Sequence, residues 1–237
     1  MKKRNKNRTI VRIMVFLALV LITTSTQAAR SVREMMKNEV TDVSSLQTFY
    51  INHNSAYERR NFLQYLPGYL EKFGVSETPG WVITALDEAL KSNDAPLSIS
   101  AVKTIGMLKL ESFSDELTQG FINSGQKAHL ALTYRIAVLE SLKKFDSSDE
   151  MKNNVSTLLQ NFPEWRIRDS DFAGLMEIAV RFGVKENALL LQKFETHVDN
   201  LLNSHEPDEK RSRELNEIKE MIQRTKGSLA LKGGQNE

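Results

Sequence analysis

The chain has no cysteine among its 237 residues, which removes several classes of structure and chemistry at once. It can form no disulfide, offer no thiolate to a metal ion and use no thiol as a nucleophile. We also expect no lipid anchor, because no cysteine follows the N-terminal apolar run. A folded chain of this composition must be held together by packing alone.

Glycine and proline are also scarce, at 11 and five residues. Few segments alternate polar and apolar residues with a period of two, as half-buried strands do. Aliphatic residues instead recur at spacings of three and four, which is the pattern of amphipathic helices. The sequence therefore predicts an all-α protein of short helices joined by short loops.

A long apolar run is missing as well, and the one short run lies near the N-terminus. Ile13–Ile22 is ten residues long and follows a strongly basic segment. A membrane-spanning helix needs about 20 apolar residues, whereas the core of a secretory signal needs fewer. Small residues at Thr26 and Ala28 predict cleavage after Ala28, with Ala29 as the alternative. The other interpretation is an uncleaved N-terminal anchor.

Loss of residues 1–28 changes the charge of the chain. The segment carries six lysines and arginines and no acid, so a net charge of +2 becomes −4. The basic isoelectric point thus comes from the signal, and we expect no nucleic-acid partner. Export without cysteine indicates a bacterial periplasmic protein, with secretion as the alternative and no stable membrane insertion after cleavage.

Five regions follow from these patterns. We predict a signal peptide at 1–28, an N-terminal helical capping region at 29–75 and a helical-repeat domain at 76–205. A charged C-terminal helix at 206–225 and a disordered tail at 226–237 complete the chain. Pro67 is expected to divide the capping region, with one helix ending before it and another starting at it. The C-terminal helix is interpreted either as a solvated helix docked by a narrow apolar stripe or as a partner-binding or dimerising helix.

Three segments in the repeat region align with one another. Their shared features are a glutamine and a closing aromatic residue, at Gln119, Gln160 and Gln192 and at Phe121, Phe162 and Phe194. The glutamines are spaced by 41 and 32 residues. These spacings correspond to one pair of short helices per repeat. Such a pair cannot bury its apolar faces alone, but stacked pairs share one continuous core.

The best-defined unit, from Asp94 to Phe121, resembles a HEAT repeat. The resemblance lies in Asp94 before the first helix, Ala101-Val102 and Ile105-Gly106 within it, and Glu116-Leu117 in the second. Over roughly residues 81–194 it implies a HEAT-like (armadillo-type) α-solenoid, a right-handed stack of antiparallel helix pairs that binds other proteins. The next unit departs from the pattern, because Glu140-Ser141 replaces the glycine position. Another helical array or a closed bundle remains the alternative.

No motif for catalysis is found. The four histidines have no metal-binding spacing, no serine lies in Gly-x-Ser-x-Gly, and no glycine-rich phosphate loop exists. We therefore expect a non-catalytic protein without cofactor or metal.

Two segments are candidates for partner binding. Trp165, Arg166 and Arg168 lie between two predicted helix pairs, and Trp and Arg are enriched in binding hot spots. The alternative is that Trp165 fills the core while the arginines are solvated. The second candidate, Tyr57 with Arg59 and Arg60, lies in a tyrosine-rich segment that could equally be a capping repeat.

The predicted function is a protein–protein interaction scaffold or adaptor, whose partner is another protein of the cell envelope. The alternatives are a bundle that binds a small apolar ligand and an accessory subunit of an envelope enzyme.

Overall fold

The computed structural model describes residues 32–124, 130–204 and 209–232. The predicted signal peptide, its predicted cleavage site and the end of the predicted tail lie outside these residues. The described part of the chain is helical and contains no strand, which confirms the all-α prediction. None of its helices combines the length and the apolar character needed to cross a bilayer.

The helices are numbered in chain order, starting with α1 at residues 32–39. They continue as α2 (Val43–Asn52), α3 (Ala56–Lys72), α4 (Gly80–Leu90), α5 (Ala95–Leu108), α6 (Ser114–Ile122), α7 (Ala131–Leu142), α8 (Asp149–Asn161), α9 (Ser170–Phe182), α10 (Asn187–Asn203) and α11 (Glu209–Lys232). Short 3₁₀ turns at Glu111–Phe113 and Glu164–Arg166 precede α6 and α9. The described chain divides into two compact units, and the boundary along the chain lies between Trp81 and Val82.

In the first unit, an aromatic cluster forms much of the core. Phe62 lies 5.9 Å from Phe49, 5.4 Å from Tyr50 and 6.2 Å from Trp81 between ring centroids. Capping boxes begin α2 and α3, where the side chains of Asp42 and Ser55 accept the first free backbone N–H groups. The predicted capping region ended at residue 75, slightly before this unit ends.

Helix α3 corrects the expected break at Pro67. It is one helix of 17 residues with Pro67 in its interior. A proline inside a helix costs about 3 kcal/mol. Leu63, Leu66 and Leu70 are all buried on one face of α3, and each buried leucine contributes about 1.5–3 kcal/mol. Breaking the helix would turn Leu70 away from this face, so the burial of Leu70 offsets much or all of the cost of the proline.

The second unit arranges its helices in two contacting series. In one series α7 contacts α5, α9 contacts α7 and α11 contacts α9; in the other α8 contacts α6 and α10 contacts α8. The series also contact each other, between α6 and α7, α8 and α9, and α10 and α11. From α7 to α11, each helix therefore packs on the helix two places before it and on one of its neighbours in the chain.

The three phenylalanines that the sequence alignment placed in register lie next to one another. The ring centroids of Phe121 and Phe162 are 6.3 Å apart, and those of Phe162 and Phe194 are 6.0 Å apart. Phe172 fills the corner between the last two, 5.3 Å from Phe194. The positions that the sequence alignment matches thus lie together in one aromatic core.

Small residues let α5 and α7 approach closely. A Cβ atom at Gly106 would lie 2.6 Å from the Cβ and 2.7 Å from the Cα of Ser141. The Ser141 hydroxyl donates a hydrogen bond to the Val102 carbonyl oxygen at 2.8 Å. In the sequence alignment, Ser141 takes the position that corresponds to Gly106. In the structure, Ser141 packs directly on Gly106.

Gly106→Ala is expected to destabilise the protein by about 1–3 kcal/mol, because the added methyl group meets backbone that cannot move freely. Gly227→Ala is the matched control, since Gly227 lies inside α11 with nothing within 4 Å of its Cβ position. Alanine there should stabilise by up to about 1 kcal/mol. Urea unfolding of both variants measures the difference, and stabilisation by both would contradict the close packing of α5 on α7.

Cations cap the carboxyl ends of earlier helices in both series. Arg181 on α9 donates to the last carbonyls after α7, including one at 3.0 Å. Lys193 on α10 donates to carbonyls at the end of α8 at 2.9 and 3.2 Å, and Lys232 on α11 does the same for α9 at 2.9 and 3.3 Å. These side chains satisfy carbonyls that a helix leaves without internal partners.

Helix α11 extends further than the sequence predicted. It runs to Lys232, whereas residues 226–237 were expected to form a disordered tail. Leu229 is fully buried, together with Leu215 and Ile222, and Lys226 forms an ion pair of 2.6 Å with Glu195 of α10. The helix is therefore docked on α9 and α10 by a narrow apolar stripe, and this stripe continues past residue 225.

Candidate functional site

The candidate site is built on the turn that joins α8 to α9. Phe162 and Pro163 take extended backbone conformations at the end of α8, and the 3₁₀ turn Glu164–Arg166 follows. Proline cannot continue the hydrogen bonding of α8, so the chain changes direction here. The turn contacts α10, whose Lys193 donates to the Phe162 carbonyl oxygen. Burial lowers the pKa of Lys193, which marks this contact as partly shielded from water.

Arg166 points into the protein. Its side chain forms ion pairs with Asp169 at 3.3 Å and with Asp171 at close range. The guanidinium also lies 4.7 Å from the centroid of the Phe162 ring. The interpretation in which the arginines of this segment are all solvated is thus wrong for Arg166, because its charge is neutralised inside the protein.

Arg135 of α7 completes this buried charge network. Its Nε donates to Asp171 Oδ2 at 2.6 Å, and its Nη1 donates to the Ser124 hydroxyl at 3.4 Å. The Asp171 side chain is completely buried, and no donor among the described residues reaches its Oδ1 atom. The network links α7, the turn and the first turn of α9. Sequence reasoning missed it, although an arginine within the apolar segment of α7 was a signal for a buried partner.

Trp165 points the other way. It is 73 % exposed, so the interpretation of Trp165 as a core residue is wrong. Before Trp165 in the sequence, Glu164 lies 4.0 Å from the His197 ring nitrogen. After it, Arg168 is half exposed and forms an ion pair of 2.8 Å with Glu214 of α11. The turn therefore presents a large apolar side chain to solvent, while the Arg166 network holds the turn to the protein.

The second candidate group lies in the first unit, on α3. The Arg60 guanidinium lies 5.1 Å from the centroid of the Tyr57 ring, and the Arg59 guanidinium lies 4.8 Å from that of Tyr50. All three candidate side chains are partly buried. Arg59 and Arg60 therefore pack on tyrosine rings of their own unit, and Trp165 is the more accessible candidate.

The described residues offer contact surfaces and no metal centre. Among them, no three His, Asp or Glu side chains lie close enough together to hold a metal ion. His129 and His205 lie outside these residues. No family model, no curated protein and no solved structure matches the chain.

Proposed function

We propose that this chain is an exported, non-catalytic helical-repeat protein that serves as a protein–protein interaction scaffold in the bacterial cell envelope. The observation that carries the proposal is the exposed Trp165 on a turn braced by buried ion pairs. A large aromatic side chain on a turn that is already braced costs little backbone ordering on contact, which is typical of a hot-spot residue.

The proposed architecture is a HEAT-like solenoid of the second unit. Its support is the contact of each helix from α7 to α11 with the helix two places before it, together with the row of Phe121, Phe162 and Phe194. A stack of this kind presents extended surfaces to partners. The N-terminal sequence supports cleavage after Ala28 and a periplasmic location.

Photo-crosslinking in living cells tests the proposal. The full chain carries a benzoylphenylalanine at position 165, or at position 231 as a control, because Leu231 is also exposed and lies outside the turn. We expect one specific envelope protein crosslinked from position 165 only, on a chain whose N-terminus is Ala29. A solitary, uncrosslinked chain in cells of its own source would overturn the scaffold function, and an uncleaved N-terminus would overturn the proposed processing.

A further inference from the structure

A second surface feature lies between α9 and α11, at residues that do not include the Trp165 turn. It is a groove of about 490 Å³. On α9 it is lined by Ala173, Met176, Glu177 and Val180, and on α11 by Glu217, Glu220, Met221, Arg224, Thr225 and Ser228. Both sets follow the spacing of three and four residues that marks one stripe of a helix. The groove is thus an open channel between two helical stripes.

The floor of the groove is apolar and adaptable. Met176 is buried at the bottom, Met221 is half-buried, and Val180 is 39 % exposed on the wall. Methionine side chains are flexible and polarizable, and they accommodate apolar groups of different shapes. Val180 leaves an apolar surface on α9 that α11 does not cover.

The rim of the groove carries more negative than positive charge. Two of its acids are already paired, Glu177 with Lys143 and Glu220 with Arg224, the latter at 3.0 Å. Glu217 is exposed and forms no ion pair within the described residues. Arg213, one turn before Glu217 on α11, and Arg224 are already in ion pairs, so Glu217 is available to attract a basic group from outside.

The length of the groove limits what it can hold. At 1.5 Å per residue, the stripe from Ala173 to Val180 spans about 10 Å and that from Glu217 to Ser228 about 16 Å. This is the length of two to three turns of an α-helix. Binding a helix in such a groove requires apolar side chains at i, i+3, i+4 and i+7 on one face.

We infer that the α9–α11 groove binds a short amphipathic helix of the partner protein, with aliphatic side chains facing Met176, Val180 and Met221 and a lysine or arginine beside Glu217. The inference rests on the proposed function, because it names the element of the partner that docks. It adds a second contact, independent of the one at Trp165.

The test uses synthetic helical peptides of about 14 residues that carry leucines on one face and lysines or glutamates along the flanks. Their binding to the full mature chain is measured by fluorescence anisotropy. We expect the lysine peptide to bind at least about tenfold more tightly than the glutamate peptide. Glu217→Lys should weaken the lysine peptide by a similar factor, and Val180→Asp should abolish its binding.

Matched controls keep the result specific. Glu71→Lys reverses an exposed acid in the other unit, and Leu189→Asp places a charge at an exposed site on α10. Both should leave binding unchanged, and circular dichroism verifies that every variant is folded. Absence of peptide binding overturns the inference, as do equal binding of both peptides and equal effects of Glu217→Lys and Glu71→Lys. If the chain binds the neutral dye N-phenylnaphthylamine but binds neither peptide, the inference is overturned in favour of a small apolar ligand.

The crosslinking experiment separates this inference from the proposed function. If the lysine peptide does not bind but position 165 still captures its partner in cells, the scaffold function stands and the groove inference fails. If the peptide results are as expected but no partner is captured in cells, the groove binds a helix and the scaffold function fails.

Discussion

Asp171→Ala is expected to lower the free energy of unfolding by about 3–5 kcal/mol, because it removes the fully buried carboxylate that Arg135 and Arg166 share and leaves both with the partly exposed Asp169. The Asp171 carboxylate accepts from both Arg135 and Arg166, and all three side chains are nearly or completely excluded from solvent. Equilibrium urea unfolding followed by circular dichroism measures the change. The effect should be accompanied by loosening of the turn before α9, which is detected as faster hydrogen exchange of its backbone amides.

Two comparisons make this prediction specific. Asp199→Ala removes an acid from the partly exposed pair with Lys219 and should cost no more than about 1 kcal/mol. Replacing all three members of the network, as Arg135→Met, Arg166→Met and Asp171→Leu together, should recover most of the lost stability, because no buried charge then remains unpaired. If Asp171→Ala is no more harmful than Asp199→Ala, the network does not brace the turn.

Local signals in the sequence predicted much of the fold. The sequence placed Asp94 directly before a helix, and its carboxylate caps α5 by accepting from the Leu97 backbone N–H at 2.7 Å. The periodic aliphatic residues located the helices, and the shared phenylalanines located positions that meet in the core. The cap and the aliphatic spacing depend on residues a few positions apart, and the phenylalanines belong to a repeat. Both kinds of pattern can be recognised in the sequence alone.

The wrong predictions, at Pro67 and at Trp165 and Arg166, concern features that depend on distant residues. Whether α3 continues through Pro67 depends on which surface buries Leu70, and the local sequence around the proline does not contain this information. The same holds at the candidate site, where Trp165 and Arg166 are neighbours in a turn and point in opposite directions. Their orientation is decided by Asp171 and by Arg135, 36 residues before Asp171, which attract the guanidinium inward. A local sequence pattern does not reveal that a residue so distant in the chain contacts the turn.

The turn around Trp165 also provides the second large expected effect. Trp165→Ala should weaken binding of the captured envelope protein by about 2 kcal/mol or more, which is about a 30-fold rise in Kd. The physical reason is the loss of a large apolar contact from a turn that is already rigid, so that little conformational entropy is regained. Because the side chain is mostly exposed, the free energy of unfolding should change by less than about 0.5 kcal/mol.

Binding is measured by titration calorimetry with the purified mature chain and its partner. Trp165→Phe should retain part of the affinity, since the phenyl ring keeps an aromatic surface but loses area. Leu231→Ala is the control, as Leu231 is 77 % exposed on α11 and should affect neither affinity nor stability. An equal loss of affinity in the Leu231 and Trp165 variants would show that exposed apolar area in general, and not this turn, holds the partner. Unchanged affinity in Trp165→Ala would move the interface away from the turn altogether, leaving the α9–α11 groove as the surface to be tested.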